Sequence, residues 1–231
     1  MNGIIDSNQK IVSSGLRLSL DAAQLRSYPT TGTTWTDLSG NGFNGTLTNG
    51  PTFNSANGGS IIFDGTNDYA SFTPINMSGT QISFTAFVKP NGFGTGNNIN
   101  SIVRKGDASS PGTPSNYVFA LRDSRIAMGV QNAVDSDTPA GNTTLTANQW
   151  YYLAASWNGT SISFYVNGGS DGNVALSSNI LEDGRSTFVG GRTGSLDIFN
   201  GNIASVQMYN RALSAIEVGQ NYNAVKSRFG L

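Results

Sequence analysis

The strongest constraint on the fold is the alternation of short period-two runs with Asn-Gly and Asp-Gly pairs. Such pairs stand at Asn41-Gly42, Asn44-Gly45, Asn49-Gly50, Asp64-Gly65, Asn158-Gly159, Asn167-Gly168 and Asp183-Gly184. They accept the positive φ that tight hairpin turns require. Between them, apolar and polar residues alternate as in half-buried strands. Strands are predicted at 15–21, 60–63, 69–72, 82–88, 99–104, 117–122, 125–130, 150–157, 162–166, 186–190 and 203–209. Trp157-Asn158-Gly159-Thr160, between QWYYLAAS and SISFYV, reads as the turn of a hairpin of two core strands. A total of about eleven to thirteen strands suits a large two-sheet sandwich.

Composition agrees. Glu, a strong helix former, occurs only at Glu182 and Glu217, which argues against a mainly helical chain. The one helical pattern is 214–225 (SAIEVGQNYNAV). Ser214 as N-cap with Glu217 three residues on is a capping box. A length of 231 residues fits one all-β domain. That domain is placed at 15–231. Residues 1–14 lack strand alternation and are expected to form an N-terminal arm. Long loops are predicted at 91–98, 107–116 and 135–148, where binding surfaces often sit.

The chain has no His and no Cys. His-based triads, thiol nucleophiles, zinc sites and thiolate clusters therefore have no ligands or bases. Only oxygen ligands for a hard cation remain, and calcium is the ion they suit. Charged residues make up 12% of the chain, about half the usual share, and the formal net charge is −1. With no Lys/Arg cluster, nucleic acid is not an expected partner. No stretch reaches the length of a membrane span, so no membrane insertion is expected, nor does 1–14 look like an export signal.

Several segments together resemble the concanavalin A-like, laminin G-like jelly-roll superfamily. They are GLRLSLDA, WTDLSGNGFNGTL, SIIFDGTNDYASF, FTAFVKP, QWYYLAASWNGTSISFYVNG and FNGNIASVQMYNRALSAIEV. They follow one another in the family's order over about residues 15–220. The resemblance implies an all-β, two-sheet antiparallel jelly-roll sandwich with one short C-terminal helix. More narrowly, LDA…SYPTTGTTWTDLSGNGFNGTLTNGPTF with YNRALSAIEVGQNYNAVKSRFGL is similar to stand-alone laminin G-like virion proteins of tailed bacteriophages.

That narrower resemblance implies a non-catalytic structural protein on the virion surface, a head decoration or fibre component. Its partners would be other virion proteins, further copies of itself in a homo-oligomer, and a host-surface glycan held weakly. The alternative is a free carbohydrate-binding lectin module, extracellular or at a cell surface. A glycoside hydrolase ranks third. Family glucanases carry Glu-x-Asp-x-Glu along one strand, and this chain has no counterpart. Asp135 with Asp137, and Glu182 with Asp183, read as turn residues.

Asp21, Asp37, Asp64 and Asp68 are the calcium candidates by residue type, although Asp also favours turns through its own backbone. The family's calcium-ligating Asp in a Gly-x-Ile-Asp-x-Val context falls here on Ala204, within Gly201-Asn202-Ile203-Ala204-Ser205-Val206. For glycan contact, the loop-proximal aromatics are Tyr28, Trp35, Tyr69, Phe93 and Tyr117, of which Trp35 fits a core role equally well. Trp150, Trp157, Phe164 and Tyr165 are assigned to packing. Assembly contacts are expected from Ile4, Ile5 and Ile11 in the arm and from Phe229 and Leu231 in the tail.

Overall fold

The computed structural model describes residues 10–77, 79–93, 99–106, 115–133, 138–180, 183–193 and 197–231. Along these residues run β1 (Leu16–Asp21), β2 (Thr34–Trp35), β3 (Gly45–Thr48), β4 (Thr52–Asn54), β5 (Ser60–Asp64), β6 (Tyr69–Phe72), β7 (Ile82–Pro90) and β8 (Asn100–Lys105). They continue with β9 (Ser115–Arg122), β10 (Arg125–Ala133), β11 (Tyr151–Trp157), β12 (Ser161–Val166), β13 (Gly169–Ala175), β14 (Thr187–Val189), β15 (Asn200–Tyr209) and the helix α1 (Ala215–Val225). All eleven predicted strands are present. The predicted loops at 91–98, 107–116 and 135–148 each lie partly outside the described residues.

The strands form two antiparallel sheets. One has the order β13-β12-β11-β7-β15-β5-β4, and β1 lies beside the C-terminal half of β15. The other has the order β10-β9-β8-β14-β6-β3-β2. The Asn158-Gly159 hairpin forms as predicted, with Trp157 opposite Ile162. Gly159 takes φ 100°, and the Asn158 carboxamide oxygen accepts from the backbone N–H of Thr160 and Ser161. That side-chain acceptor closes the turn the way an Asx residue does.

Period two sorts each strand onto two faces. In β7 and β11, Phe84, Ala86 and Val88 with Leu153, Ala155 and Trp157 point between the sheets into the main core. Phe87, Tyr152 and Ala154 point the other way, into a second cluster with Tyr209, Leu213, Val218 and Phe229. That cluster is the seat of α1. Ser214 caps the helix: its hydroxyl accepts from the Glu217 N–H while the Glu217 carboxylate accepts from the Ser214 N–H.

The expected free arm is corrected for residues 10–14. The Val12 N–H donates to Asn221 Oδ1 at 2.7 Å, and the Tyr209 hydroxyl donates to the Val12 carbonyl at 3.1 Å. Val12 is buried in the helix-side cluster. An irregular segment with satisfied backbone groups and an anchored apolar side chain is part of the domain. Ile4 and Ile5 lie outside the described residues. No helix among the described residues is long and apolar enough to cross a membrane.

Candidate functional site

An open groove lies on the helix-bearing face, where β1 and β15 run side by side. Leu18 and Leu20 turn into the core, so Ser19 and Asp21 face outward. Across the ladder Ser19 pairs with Gln207 and Asp21 with Ser205. These four side chains form a polar floor about 5 Å across and about 7 Å along the strands, the spacings of cross-strand and i, i+2 neighbours.

One wall is the docked segment with Lys10, Ile11 and Ser13, closed by Val225 at the end of α1. The other comes from the loops after β1 and before β3, with Gln24, Arg26, Leu38 and Ser39. The enclosed volume is about 660 Å³, within the 300–1,000 Å³ of small-molecule sites.

Its lining sets the hydroxyls of Ser13, Ser19, Ser39 and Ser205 and the amides of Gln24 and Gln207 among the apolar side chains of Ile11, Leu16, Leu38 and Val225. Ser205 Oγ is buried and has no hydrogen-bond partner within the protein. Gln207 Oε1 accepts from Thr85 Oγ1 at 2.6 Å, which fixes the amide. Asp21 is the sole carboxylate among the lining residues, and Arg228 Nη1 donates to both of its oxygens.

The calcium candidates have separate local duties. Asp37 accepts from the N–H groups of Ser19, Ser39 and Phe43 and from the Ser39 hydroxyl. Asp64 accepts from the Thr66 N–H at 2.7 Å in its turn. Asp68 is the one with an open buried oxygen: Oδ2 accepts from the Asp64 N–H, and Oδ1 has no partner. Burial pushes the Asp68 carboxyl up, the Asp64 backbone hydrogen bond opposes this, and the neighbouring Asp64 charge adds to the rise. Among the described residues, no three acidic side chains converge to hold a metal. The position of the family's calcium-ligating Asp does not fit the ion either, because Ala204 is fully buried in the apolar helix-side cluster.

The predicted aromatic platform is corrected. Tyr28 is 3% exposed, and Trp35 and Tyr117 are 0% exposed, all within the main core. Large rings near turns went where they remove most apolar area from water. Tyr69 is half-buried and meets Phe188 edge-on at 5.7 Å, and half-buried Phe93 packs against the main core. The packing assignments hold for Trp157 and Phe164 in the main core and for Tyr165 and half-buried Trp150 in the helix-side cluster.

The assembly contacts divide. Phe229 is corrected: the turn Lys226–Phe229 folds it inward, 4.4 Å from Phe87 and 4.5 Å from Trp150 between ring centroids. Ile11 lines the groove, and Leu231 is 38% exposed. Asp135, Asp137 and Glu182 lie outside the described residues, and Asp183 pairs with Arg185.

Sequence reasoning missed the groove floor and a buried ion cluster. Asp197 bridges Arg104 and Arg192, all three at most 5% exposed in their side chains, on the outer side of the second sheet. For the floor, the polar phase of two neighbouring strands, Ser19/Asp21 and Ser205/Gln207, was the available signal. Its meaning depended on knowing that β1 pairs with β15.

Residues 64–219 match the family of concanavalin A-like lectin/glucanases. No curated protein sequence is significantly similar to the chain. Among solved structures, domain 4 of AbnA, an extracellular arabinanase of family GH43 from Geobacillus stearothermophilus in complex with arabinotriose, superposes with a TM-score of 0.68 at 17% identity. That match covers 90% of this chain and 98% of the domain. The binding domain of botulinum neurotoxin DC in complex with SialylT gives 0.68 at 13% identity, covering 93% of this chain and 52% of that one. A Trypanosoma rangeli sialidase in complex with the inhibitor DANA gives 0.65 at 14% identity, covering 92% and 33%. The chain thus spans nearly all of the arabinanase domain but about half of the toxin domain and a third of the sialidase. These identities speak for the fold alone, and the family match over residues 64–219 speaks for descent: the chain belongs to the concanavalin A-like lectin/glucanases superfamily.

Proposed function

We propose that the protein is a non-catalytic carbohydrate-recognition domain. The observation that carries this reading is the groove over β1 and β15. Its hydroxyl and amide floor suits a hydroxyl-rich ligand, and its one carboxylate is engaged by Arg228. Glycoside hydrolysis needs two carboxyl groups about 5–10 Å apart across the bond, and the groove lining supplies one. Support also comes from the saccharides named with two structural neighbours, arabinotriose on the arabinanase domain and SialylT on the toxin domain.

The test is a glycan-array screen followed by product analysis of the bound glycans. Saturable binding with the glycan recovered intact is the expected result. Glycan cleavage that disappears in Asp21→Asn would replace this reading with an enzymatic one.

The likeness of the segments 20–22, 27–53 and 209–231 to stand-alone phage proteins supports a virion surface as the setting in which such a domain meets a host glycan. Immunogold labelling of gradient-purified particles tests that setting: regular labelling of heads or tails supports it, and protein confined to soluble fractions removes it.

A further inference from the structure

The groove carries uncompensated positive charge in a chain whose formal net charge is −1. Lys10 and Arg26 both line the groove and are both exposed. Among the described residues neither has an ion-pair partner. The one lining carboxylate, Asp21, is already neutralised by Arg228 at 2.9 Å. Below this rim lie the hydroxyl of Ser19, the amide of Gln207 and the buried, unpartnered Ser205 Oγ. A buried hydroxyl without a partner is costly unless a ligand or water completes it. Ile11 and Leu38 add apolar surface on either side.

From this juxtaposition we infer that the groove binds a carboxylated saccharide. The sugar hydroxyls lie over Ser19, Gln207 and Ser205, the C–H faces lie against Ile11 and Leu38, and the ligand carboxylate lies at the rim between Lys10 and Arg26. A neutral sugar would leave the rim charges unused. An anion lacking hydroxyls would leave the floor unsatisfied. The inference rests on the carbohydrate-recognition reading and adds to it a place and a ligand class.

The experiment uses the full chain, a glycan array of matched acidic and neutral oligosaccharides, and calorimetric titration of the strongest binder against wild type and Lys10→Gln/Arg26→Gln. Both substituted side chains are exposed, so the fold is retained. Acidic glycans are expected to dominate the array, with affinity about tenfold lower in the double variant and falling with salt, since rim charges in water are screened. A tenfold loss corresponds to about 1.4 kcal/mol. Binding of neutral glycans only, or acidic-glycan binding that the double variant leaves unchanged, overturns the inference and leaves carbohydrate recognition standing. Absence of binding to every glycan overturns both.

Discussion

Arg228 Nη1 donates to both carboxylate oxygens of Asp21, at 2.9 and 3.1 Å, joining the end of the first strand to the last turn across 207 residues. The same guanidinium donates to the Asn57 and Gly59 carbonyls, so it pins three segments at once. Because the pair is partly shielded from water, its loss costs more than that of an open surface ion pair. Arg228→Ala is expected to lower stability by about 1–2 kcal/mol. The readout is the midpoint of urea unfolding with an unchanged slope, and a midpoint equal to wild type would show that the pair is ornamental.

Gly201, the second residue of the long strand β15, takes φ 140°, and a Cβ there would strike the Lys89 carbonyl oxygen and approach the Asn91 nitrogen at 2.9 Å. These are backbone atoms of the neighbouring strand and its turn, which cannot swing aside. Gly201→Ala should therefore cost about 3 kcal/mol or more. Gly184, where an added Cβ meets nothing within 4 Å, provides the contrast. Gly184→Ala should stay within about 0.5 kcal/mol of wild type. Thermal unfolding of the two variants side by side checks the difference.

Phe84 of β7 stacks on Phe119 of β9 at 5.6 Å and 12°, and meets Tyr117 at 5.3 Å. It thereby joins the two sheets through ring contact at full burial. Phe84→Ala should destabilise by about 3–5 kcal/mol through lost transfer energy and the cavity left behind. Guanidinium unfolding followed by tryptophan fluorescence measures it, and a loss under about 1 kcal/mol would mean that the sheets close over the gap.

The Arg211 guanidinium hydrogen-bonded to Glu217 holds that carboxyl at about 2, against a usual 4.5, with burial opposing and the Ser214 backbone assisting. A carboxyl lowered by folding contributes stability that is present above its unfolded value and lost as pH falls through its folded value. The contribution thus operates above about pH 4.5 and drains away towards pH 2. Glu217→Gln should flatten the melting temperature against pH in that window. Identical slopes in variant and wild type would contradict the assignment.

Much of the fold was legible because its signals are local. Asn158-Gly159 declares its hairpin through a side-chain acceptor and a positive φ, and Ser214 with Glu217 declares the helix start. The missed strands were the short β2, β3 and β4, with two to four residues each, and β13, whose GSDGNVA has little apolar phase. They exist through pairing with neighbours, for example Thr52 to Asn54 along β5, and such pairing leaves little trace in so few residues. The candidate site was less legible for the same reason. Ser19, Asp21, Ser205 and Gln207 become one floor only when residues nearly two hundred positions apart share a ladder. Phe229 resembled a docking tail in sequence, and only the chain reversal after α1 placed it inside.

The most direct measurement is a two-dimensional amide NMR titration of the full chain with the strongest glycan from an array. The expected result is saturable shifts clustered at Ser19, Asp21, Ser205, Gln207 and the wall residues Ile11 and Ser39, with the glycan's own spectrum unchanged at the end. Shifts confined to the face around Arg104, Asp197 and Tyr69, or no shifts with any glycan that the array presents, would contradict recognition at this groove.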